Sequence, residues 1–193
     1  MAFSNAAKAG TALFLGGVEF SIGMILAEVY YPAYDVSTNY ISDLGATCRS
    51  NVCTIHQPSA TIFNGSAVFF GILVFVAAYY LQQAFNWRPL PIVAFLGGIG
   101  LVGVGIFPET TGSVHDLVSV IAFLFSGLSA LLAYKVVKPP LSYLSVLLGL
   151  VTLVSMVLYI ADVYLGLGPG GMERVVVYPV LLWVIVPPPL TAG

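Results

Sequence analysis

Three side chains of this sequence, Asp43, Glu109 and His115, are of the types that carry out acid–base chemistry. Asp43 follows Ser42 in one polar segment, whereas Glu109 and His115 belong to another segment much later in the chain. A histidine near carboxylates can accept and donate protons at neutral pH. If the fold brings the two segments together, these three side chains are the candidate catalytic residues.

A metal site is the alternative use of the same three side chains. A bound metal needs three or more ligands of suitable type, so Asp43, Glu109 and His115 would have to converge on one point. The simpler expectation is a protein with no cofactor. For Asp43 there is also a structural alternative, because short polar side chains in its segment can bond to nearby backbone and cap the loop internally.

Other polar residues are candidates for holding a ligand beside these three. The guanidinium group of Arg174 suits a phosphate or a carboxylate, although Asp162 or Glu109 could equally bind it in a structural ion pair. Glu173 precedes Arg174, and adjacent helical positions do not face each other, so their partners must come from other segments. The candidate ligand-binding residues are Ser42, Asn39, Asn64, Arg174, Glu173 and Asp162.

The elements that position these residues must be membrane helices, because the composition is too apolar for a soluble domain. The 193 residues are 59% hydrophobic and 7% charged, with a mean hydropathy of +1.01, whereas soluble domains carry about 25% charged residues. The apolar runs are about 20 residues long, enough for a helix to cross a ~30 Å hydrocarbon core. The net charge of −2 does not suggest a nucleic-acid partner, and membrane lipids are the expected partners.

The sequence predicts an all-α integral membrane protein with a single domain over residues 1–193. Its six transmembrane helices would cover residues 9–30, 58–84, 90–107, 114–136, 140–164 and 172–187. The connections after the second, third and fourth helices are short, so these neighbours should be antiparallel and adjacent. The first connection is long, and its polar run from Tyr31 to Ala46 should fold back over the site.

Basic residues predict the orientation of the bundle, because cytoplasmic loops of membrane proteins carry an excess of Lys and Arg. With six helices, the N-terminus, the second and fourth loops and the C-terminus share one side. The basic residues on that side are Lys8, Arg88, Lys135 and Lys138. Both termini should therefore be cytoplasmic and the long first loop extracytoplasmic, in a multi-pass protein of the plasma membrane.

The first loop also contains the two cysteines of the chain, Cys48 and Cys53. An extracytoplasmic loop lies in an oxidising compartment, which favours disulfides, and this spacing can be closed within a turn. We expect a structural disulfide that stiffens the segment before the second helix.

Two acidic residues have a structural explanation in the sequence. Ser113 is the predicted N-cap of the fourth helix, and Asp116 would complete a capping box with it. Glu19 shares a face of the first helix with Gly16 and Gly23, and small residues mark close helix packing in membranes. Glu19 should therefore face protein, where it would bond to hydroxyl groups, and not lipid.

Four motifs along the chain carry a family resemblance. They are Asn39-Tyr40-Ile41-Ser42-Asp43-Leu44-Gly45, Ile62-Phe63-Asn64, Phe107-Pro108-Glu109 and His115-Asp116. Together they resemble the prokaryotic six-helix membrane family known as domain of unknown function 998, over nearly the whole chain. The run from Ile41 to Gly45 is also similar to the Ile-Ser-Asp-Thr-Gly loop of the eukaryotic DRAM/Frag/Sfk membrane proteins, with Leu44 in place of Thr.

The wider group of DRAM/Frag/Sfk proteins is associated with membrane lipid handling, so the resemblance implies a lipid-related role. It also implies that four positions belong to a site, without assigning their roles: Asp43, Asn64, Glu109 and His115.

We therefore expect an intramembrane protein whose outward-facing polar cavity binds a lipid or another amphiphile. If it is an enzyme, His115 and Asp43 would provide acid–base catalysis for hydrolysis or group transfer on that lipid. One alternative is a small transporter or channel with a cation or proton path past Glu19, although the cytoplasmic half has few polar residues for such a path. The other alternative is a non-catalytic scaffold or complex subunit, whose protein partner the sequence does not identify.

Overall fold

The computed structural model describes residues 3–50 and 52–186 of the chain. Within them it contains six α-helices, as the sequence predicted. They are α1 (Asn5–Tyr30), α2 (Ser59–Ala84), α3 (Pro89–Ile106), α4 (Ser113–Leu132), α5 (Leu141–Ile160) and α6 (Gly168–Ile185). Helices α1 to α5 are long and apolar enough to cross a membrane, which indicates a multi-pass membrane protein. α6 carries Glu173 and Arg174 in its first two turns and is not one of these five.

The first four helices lie close to their predicted positions. α2 and α3 each begin and end within one residue of the prediction. α1 begins earlier, at Asn5, because the Ser4 hydroxyl caps the helix by accepting a hydrogen bond from the Ala7 N–H at 3.1 Å. α4 is followed by a single 3-10 turn, Ala133–Lys135, so the helix itself ends before the predicted residue 136.

The connection between α5 and α6 is longer than predicted. α5 ends at Ile160 instead of residue 164, because Asp162 just beyond it adopts a left-handed φ of 56° that an α-helix cannot contain. α6 begins at Gly168 instead of residue 172, and Pro169 lies in its first turn, where the missing N–H is tolerated. The predicted end of the sixth helix at residue 187, and the C-terminus beyond it, lie outside the described residues.

The helices pack in sequence order, each against the next, and α6 contacts α1 to close the bundle. Glycine allows the closest approaches: a Cβ at Gly100 on α3 would lie 2.3 Å from the backbone nitrogen of Ala122 on α4. Glu19 lies at the α1–α2 interface, where Ser66 donates a hydrogen bond to its Oε1 at 2.7 Å. The prediction that Glu19 faces protein and bonds to a hydroxyl is therefore confirmed.

The connections after α1, α3 and α5 meet at one end of the bundle, where the long first loop covers the helix ends. The Ser37 hydroxyl donates a hydrogen bond to the Leu167 carbonyl at 2.7 Å, and the Cys48 N–H donates one to Glu109 at 3.0 Å. These bonds join all three connections, so residues that are far apart in sequence lie together at this end.

Part of the first loop forms an antiparallel hairpin that the all-α prediction did not include. Its strands are β1 (Thr47–Arg49) and β2 (Val52–Thr54). Cys48 pairs with Cys53 across the strands, and their sulfur atoms lie at bonding distance, 2.04 Å, so the predicted disulfide is confirmed. An isolated two-stranded hairpin is marginal in water, and the disulfide stabilises this short hairpin.

The segment before the hairpin caps part of itself through Asp35 and Asn39, whereas the hydroxyls of Ser37 and Ser42 bond to distant segments. Asp35 Oδ1 accepts hydrogen bonds from the N–H groups of Thr38 at 2.8 Å and Ser37 at 3.0 Å. Bonds from Thr38, and then from Ser37, hold the pKa of Asp35 below its ordinary value. The Asn39 side chain accepts a further bond from the Asp35 N–H at 3.0 Å, so this polar stretch has a defined local fold.

Candidate functional site

A cavity of about 500 Å³ lies beneath the first loop, between that loop and helices α4, α5 and α6. This size falls within the range of roughly 300–1,000 Å³ that is typical of small-molecule sites. Four of the predicted site residues line it: Ser42, Glu109, His115 and Glu173. Its wall also includes Tyr40, Arg49, Asp116, Ser119, Phe123 and Tyr159. We refer to this space as the polar cavity.

Asp43 is buried behind the wall of the polar cavity and is bound by Arg49. Its side chain is 0% exposed, and one guanidinium nitrogen of Arg49 donates to both carboxylate oxygens, at 2.9 and 2.7 Å. The Asn39 side-chain amide and the Tyr40 N–H also donate to Oδ2, at 3.0 and 2.9 Å. Both oxygens of Asp43 are thus occupied, so it anchors the loop to the hairpin and is not placed to act as the predicted base.

Glu109 joins three segments at the cavity wall. The Ser42 hydroxyl donates to its Oε1 at 2.8 Å, the Cys48 N–H donates to Oε2 at 3.0 Å, and an Arg49 nitrogen lies 3.4 Å from Oε2. Burial raises the pKa of Glu109 above its ordinary value, although the bonds from Cys48 and Ser42 and the charge of Arg49 oppose this rise. Burial would lower the pKa of Arg49, but Asp43 and Glu109 outweigh it and raise that pKa.

His115 is buried at the start of α4 and is oriented by two contacts. Its Nδ1 lies 2.7 Å from the Phe107 carbonyl, and because a carbonyl only accepts, this nitrogen carries the proton. Nε2 then accepts from the Ser119 hydroxyl, 3.4 Å away on the next turn. The predicted acid–base pair of His115 with Asp43 is therefore replaced by a pair of His115 with Ser119, and both of these residues line the polar cavity.

An apolar pocket of about 70 Å³ lies next to the polar cavity, inside the helix bundle. The two spaces share four wall residues: Ser42, Ser119, Phe123 and Glu173. Most of the remaining apolar wall consists of aromatic and aliphatic side chains such as Phe20, Phe70 and Val176. The site therefore changes from polar to apolar across one shared boundary.

Glu173 forms part of that boundary. It is 4% exposed, and its Oε2 accepts a hydrogen bond from the Ile41 N–H, which fixes the first loop over α6. Glu173 thus combines a structural contact on one oxygen with a position on the walls of both spaces.

Arg174 does not line the polar cavity, contrary to the prediction that it binds a ligand. It is 5% exposed and forms an ion pair with Glu28 at 2.9 Å, where the sequence suggested Asp162 or Glu109. It also donates to the Tyr34 hydroxyl at 2.6 Å and to the Val36 carbonyl at 3.1 Å. Its two terminal nitrogens attach the first loop to α1 and α6, which is a structural role, whereas its buried Nε has no partner among the described residues.

Three other predicted ligand-binding residues also lie outside the wall of the polar cavity. The Asn39 amide supports Asp43, and the Asn64 amide lies 3.5 Å from the Gly45 carbonyl, below the first loop. Asp162 is exposed in the connection between α5 and α6, where it accepts a hydrogen bond from the Tyr164 hydroxyl at 2.6 Å. These residues shape the loops around the site and do not face its interior.

The alternative of a metal centre does not fit the geometry. Among residues 3–50 and 52–186, no group of three or more histidine, cysteine or acidic side chains is arranged to hold a metal ion. The proposed ligands do not converge, because Asp43 is bound by Arg49 while the two ring nitrogens of His115 face Phe107 and Ser119. The metal set Asp43, Glu109 and His115 is therefore wrong.

Sequence reasoning missed Arg49 and Asp116 as cavity residues. Arg49 follows Cys48, and its position next to the predicted disulfide was a usable signal that its backbone is held in place. Asp116 had been assigned to a capping box with Ser113, but the N-cap of α4 is Gly112, with a φ of 59°. With glycine at the N-cap there is no capping box, and Asp116 lines the polar cavity instead.

Tyr40 and Tyr159 were also missed, because nothing in the sequence links the first loop to the end of α5. Their rings meet edge to face, with centroids 6.0 Å apart.

Taken together, the fold and the site define a helical multi-pass membrane protein with a polar cavity at one end of its bundle. The model of a family described as "Protein of unknown function (DUF998)" matches residues 14–187, and the chain belongs to this family, as its motifs predicted. No curated protein and no solved structure matches the chain.

Proposed function

We propose that this membrane protein binds a lipid or another amphiphile, with the headgroup in the polar cavity and the start of the apolar chain in the pocket beside it. The observation that carries the proposal is the wall that the two spaces share, formed by Ser42, Ser119, Phe123 and Glu173. A molecule with a polar and an apolar part would satisfy both spaces at once, whereas a simple ion or a sugar would match only one.

We further propose that the polar cavity faces outward from the plasma membrane and that both termini are cytoplasmic. The basic residues at the opposite end of the bundle support this orientation: Lys8, Arg88, Lys135 and Lys138. After reduction, a membrane-impermeant thiol reagent should label Cys48 and Cys53 on intact cells. Labelling that requires permeabilised cells would reverse the orientation.

Amphiphile binding can be tested by filling the shared boundary with a larger side chain. We expect a lipid or amphiphile to remain bound to gently purified wild-type protein, to be visible by native mass spectrometry, and to be recovered by solvent extraction. Ser119→Trp should remove it, because the indole would occupy the space between the cavity and the pocket. Leu117→Trp is the matched control, since Leu117 lies on the same helix and is 61% exposed.

The outcomes of this experiment separate the proposal from its alternatives. Loss of the bound molecule in Ser119→Trp alone supports amphiphile binding. Wild-type protein that carries no amphiphile, and binds none when lipid is added, contradicts it and favours the scaffold or subunit role. Equal retention in both variants would place the bound molecule on the outer surface of the bundle.

The same cavity offers a route to chemistry on the bound molecule. In hydrolysis or group transfer, Nε2 of His115 would exchange its Ser119 contact for the attacking water or hydroxyl group and take its proton, and Glu109 would give a proton to the leaving group, with Asp43 kept in its structural role. A His115→Gln variant that still binds the co-purified lipid but no longer converts it would support an enzyme. Unchanged lipid after incubation with wild-type protein would limit the proposal to binding.

A further inference from the structure

The wall of the polar cavity has an excess of acidic groups. Of its described residues, Glu109, Asp116 and Glu173 carry carboxyl groups, and Arg49 is the one cation. The charge of Arg49 is already matched, because its guanidinium binds Asp43 behind the wall and also lies 3.4 Å from Glu109. Such a cavity favours a positively charged group over an anion.

Glu173 provides a second, independent indication of a ligand. Its side chain is 96% buried, since the residue is 4% exposed. One oxygen accepts the Ile41 N–H, but the other accepts no hydrogen bond from the residues that the structure describes. This second oxygen is not one of the buried atoms that lack a partner, so it is open to the space beside it, and its residue lies on the walls of both the polar cavity and the apolar pocket.

Three aromatic rings stand beside these carboxyl groups. The Tyr159 ring meets Tyr40 at a centroid distance of 6.0 Å and Phe123 at 6.5 Å, both edge to face. Aromatic faces attract cations within about 6 Å, and groups of such rings recognise quaternary ammonium ligands. The site already contains one contact of this kind, because the Arg49 guanidinium lies 4.7 Å from the centre of the Tyr40 ring.

We propose that the headgroup held in the polar cavity is an ammonium group, either a protonated amine or a quaternary ammonium. Its positive charge lies against Glu173 and Tyr159, and the attached apolar chain enters the pocket across the shared boundary. This inference rests on the proposed function and specifies its ligand class. The ammonium group can belong to a phospholipid headgroup or to a free cationic amphiphile, since both present the same chemistry to this wall.

The test is headgroup competition in native mass spectrometry. Purified protein, stripped of lipid, is mixed with equal amounts of phosphatidylcholine, phosphatidylethanolamine and phosphatidylglycerol that carry identical acyl chains. We expect the two ammonium-bearing lipids to bind in preference to phosphatidylglycerol by about tenfold, which corresponds to one hydrogen bond or contact with a charged group. Dodecyltrimethylammonium is then added as a single-chain cation, with dodecyl maltoside as the neutral comparison of equal chain length.

Two pairs of variants identify the residues responsible. Glu173→Gln keeps the shape of the side chain and should abolish the headgroup preference, whereas Asp162→Asn removes an exposed acid outside the cavity and should leave it intact. Tyr159→Phe keeps the ring and should keep the preference, whereas Tyr159→Leu should weaken it. Thermal unfolding of both variants shows whether any loss in the Leu variant comes from misfolding.

The outcomes of the headgroup competition separate the ammonium inference from the proposed function. If dodecyltrimethylammonium displaces the phospholipid, the cavity recognises ammonium from either source; if only the phospholipid binds, the ligand is a lipid headgroup. Lipid binding that Ser119→Trp blocks but that shows no preference, or a preference for phosphatidylglycerol, would overturn the ammonium inference and leave the proposed function standing. Absence of any lipid binding would remove both.

Discussion

We expect the Arg49–Asp43 ion pair to contribute most to the stability of the bundle end that the first loop covers. The substitution Arg49→Met tests this. The variant keeps an apolar stem of similar length but leaves the carboxylate of Asp43, whose side chain is 0% exposed, without its cation. Removing one partner of a fully buried ion pair costs about 3–5 kcal/mol, whereas an exposed pair contributes at most about 1 kcal/mol.

The structure places this pair between those limits. Arg49 is 46% exposed, so water can partly replace it. Asp43 would also keep its bonds from Asn39 and Tyr40. We therefore expect Arg49→Met to lower the free energy of unfolding by about 2 kcal/mol. For a chain of this size that corresponds to a decrease of roughly 4–8 °C in Tm.

The assay is thermal unfolding in detergent, followed by tryptophan fluorescence, in a double-mutant cycle with Asp43→Asn. Because the asparagine carries no charge, most of the cost of Arg49→Met should disappear in that background, which gives a coupling of about 1–2 kcal/mol. Arg88→Met is the matched control, since Arg88 is exposed at the other end of the bundle. The reasoning fails if Arg49→Met costs no more than Arg88→Met, or if its cost is the same in both backgrounds.

Two further predictions concern the same end of the protein. Burial raises the pKa of Glu109, so the folded protein keeps a proton that the unfolded chain has already released. The stability of the protein should therefore fall as the pH rises from the ordinary carboxyl pKa to the pKa of Glu109 in the folded protein. Glu109→Gln should flatten this part of a plot of Tm against pH. An unchanged slope in the variant would show that Glu109 does not control it. A Cβ at Gly170 would lie 1.9 Å from the Asn39 carbonyl oxygen, so Gly170→Ala should displace the first loop and lower Tm by several degrees. Gly65→Ala, where a Cβ meets nothing within 4 Å, should have little effect; equal effects on Tm would contradict the close docking of the loop.

The sequence was sufficient for the features that depend on composition and local spacing. Five apolar runs became helices of membrane-spanning length, because hydropathy over such a length depends on residue types alone. The pairing of Cys48 with Cys53 followed from their short separation. Glu109 and His115, which the sequence placed in one site, line the same cavity as Ser42 because each belongs to a loop or helix start at the same end of the bundle.

The errors arose where the outcome depends on which of several partners a charged side chain meets. The sequence offered Asp162 and Glu109 as partners of Arg174, and its pairing with Glu28 instead follows from the packing of α6 on α1, which no local pattern reports. Asp43 was assigned a chemical role because the nearby Arg49 was not recognised as its partner. The hairpin that carries Arg49 has three-residue strands, too short for an alternating pattern to reveal.

The partners of the acidic residues give a physical criterion for separating structural from ligand-binding groups in this protein. Placing a charge at membrane depth is costly unless a partner compensates it. Asp43 pairs with Arg49, and Glu28 pairs with Arg174. These two ion pairs hold the first loop in place, which gives Asp43 and Glu28 a structural role. Glu173 is as deeply buried as Arg174, but among the described residues no cation lies within ion-pair distance of it. Its burial is therefore compensated only in part by the rest of the chain, and an ammonium group entering from the polar cavity would supply the missing partner.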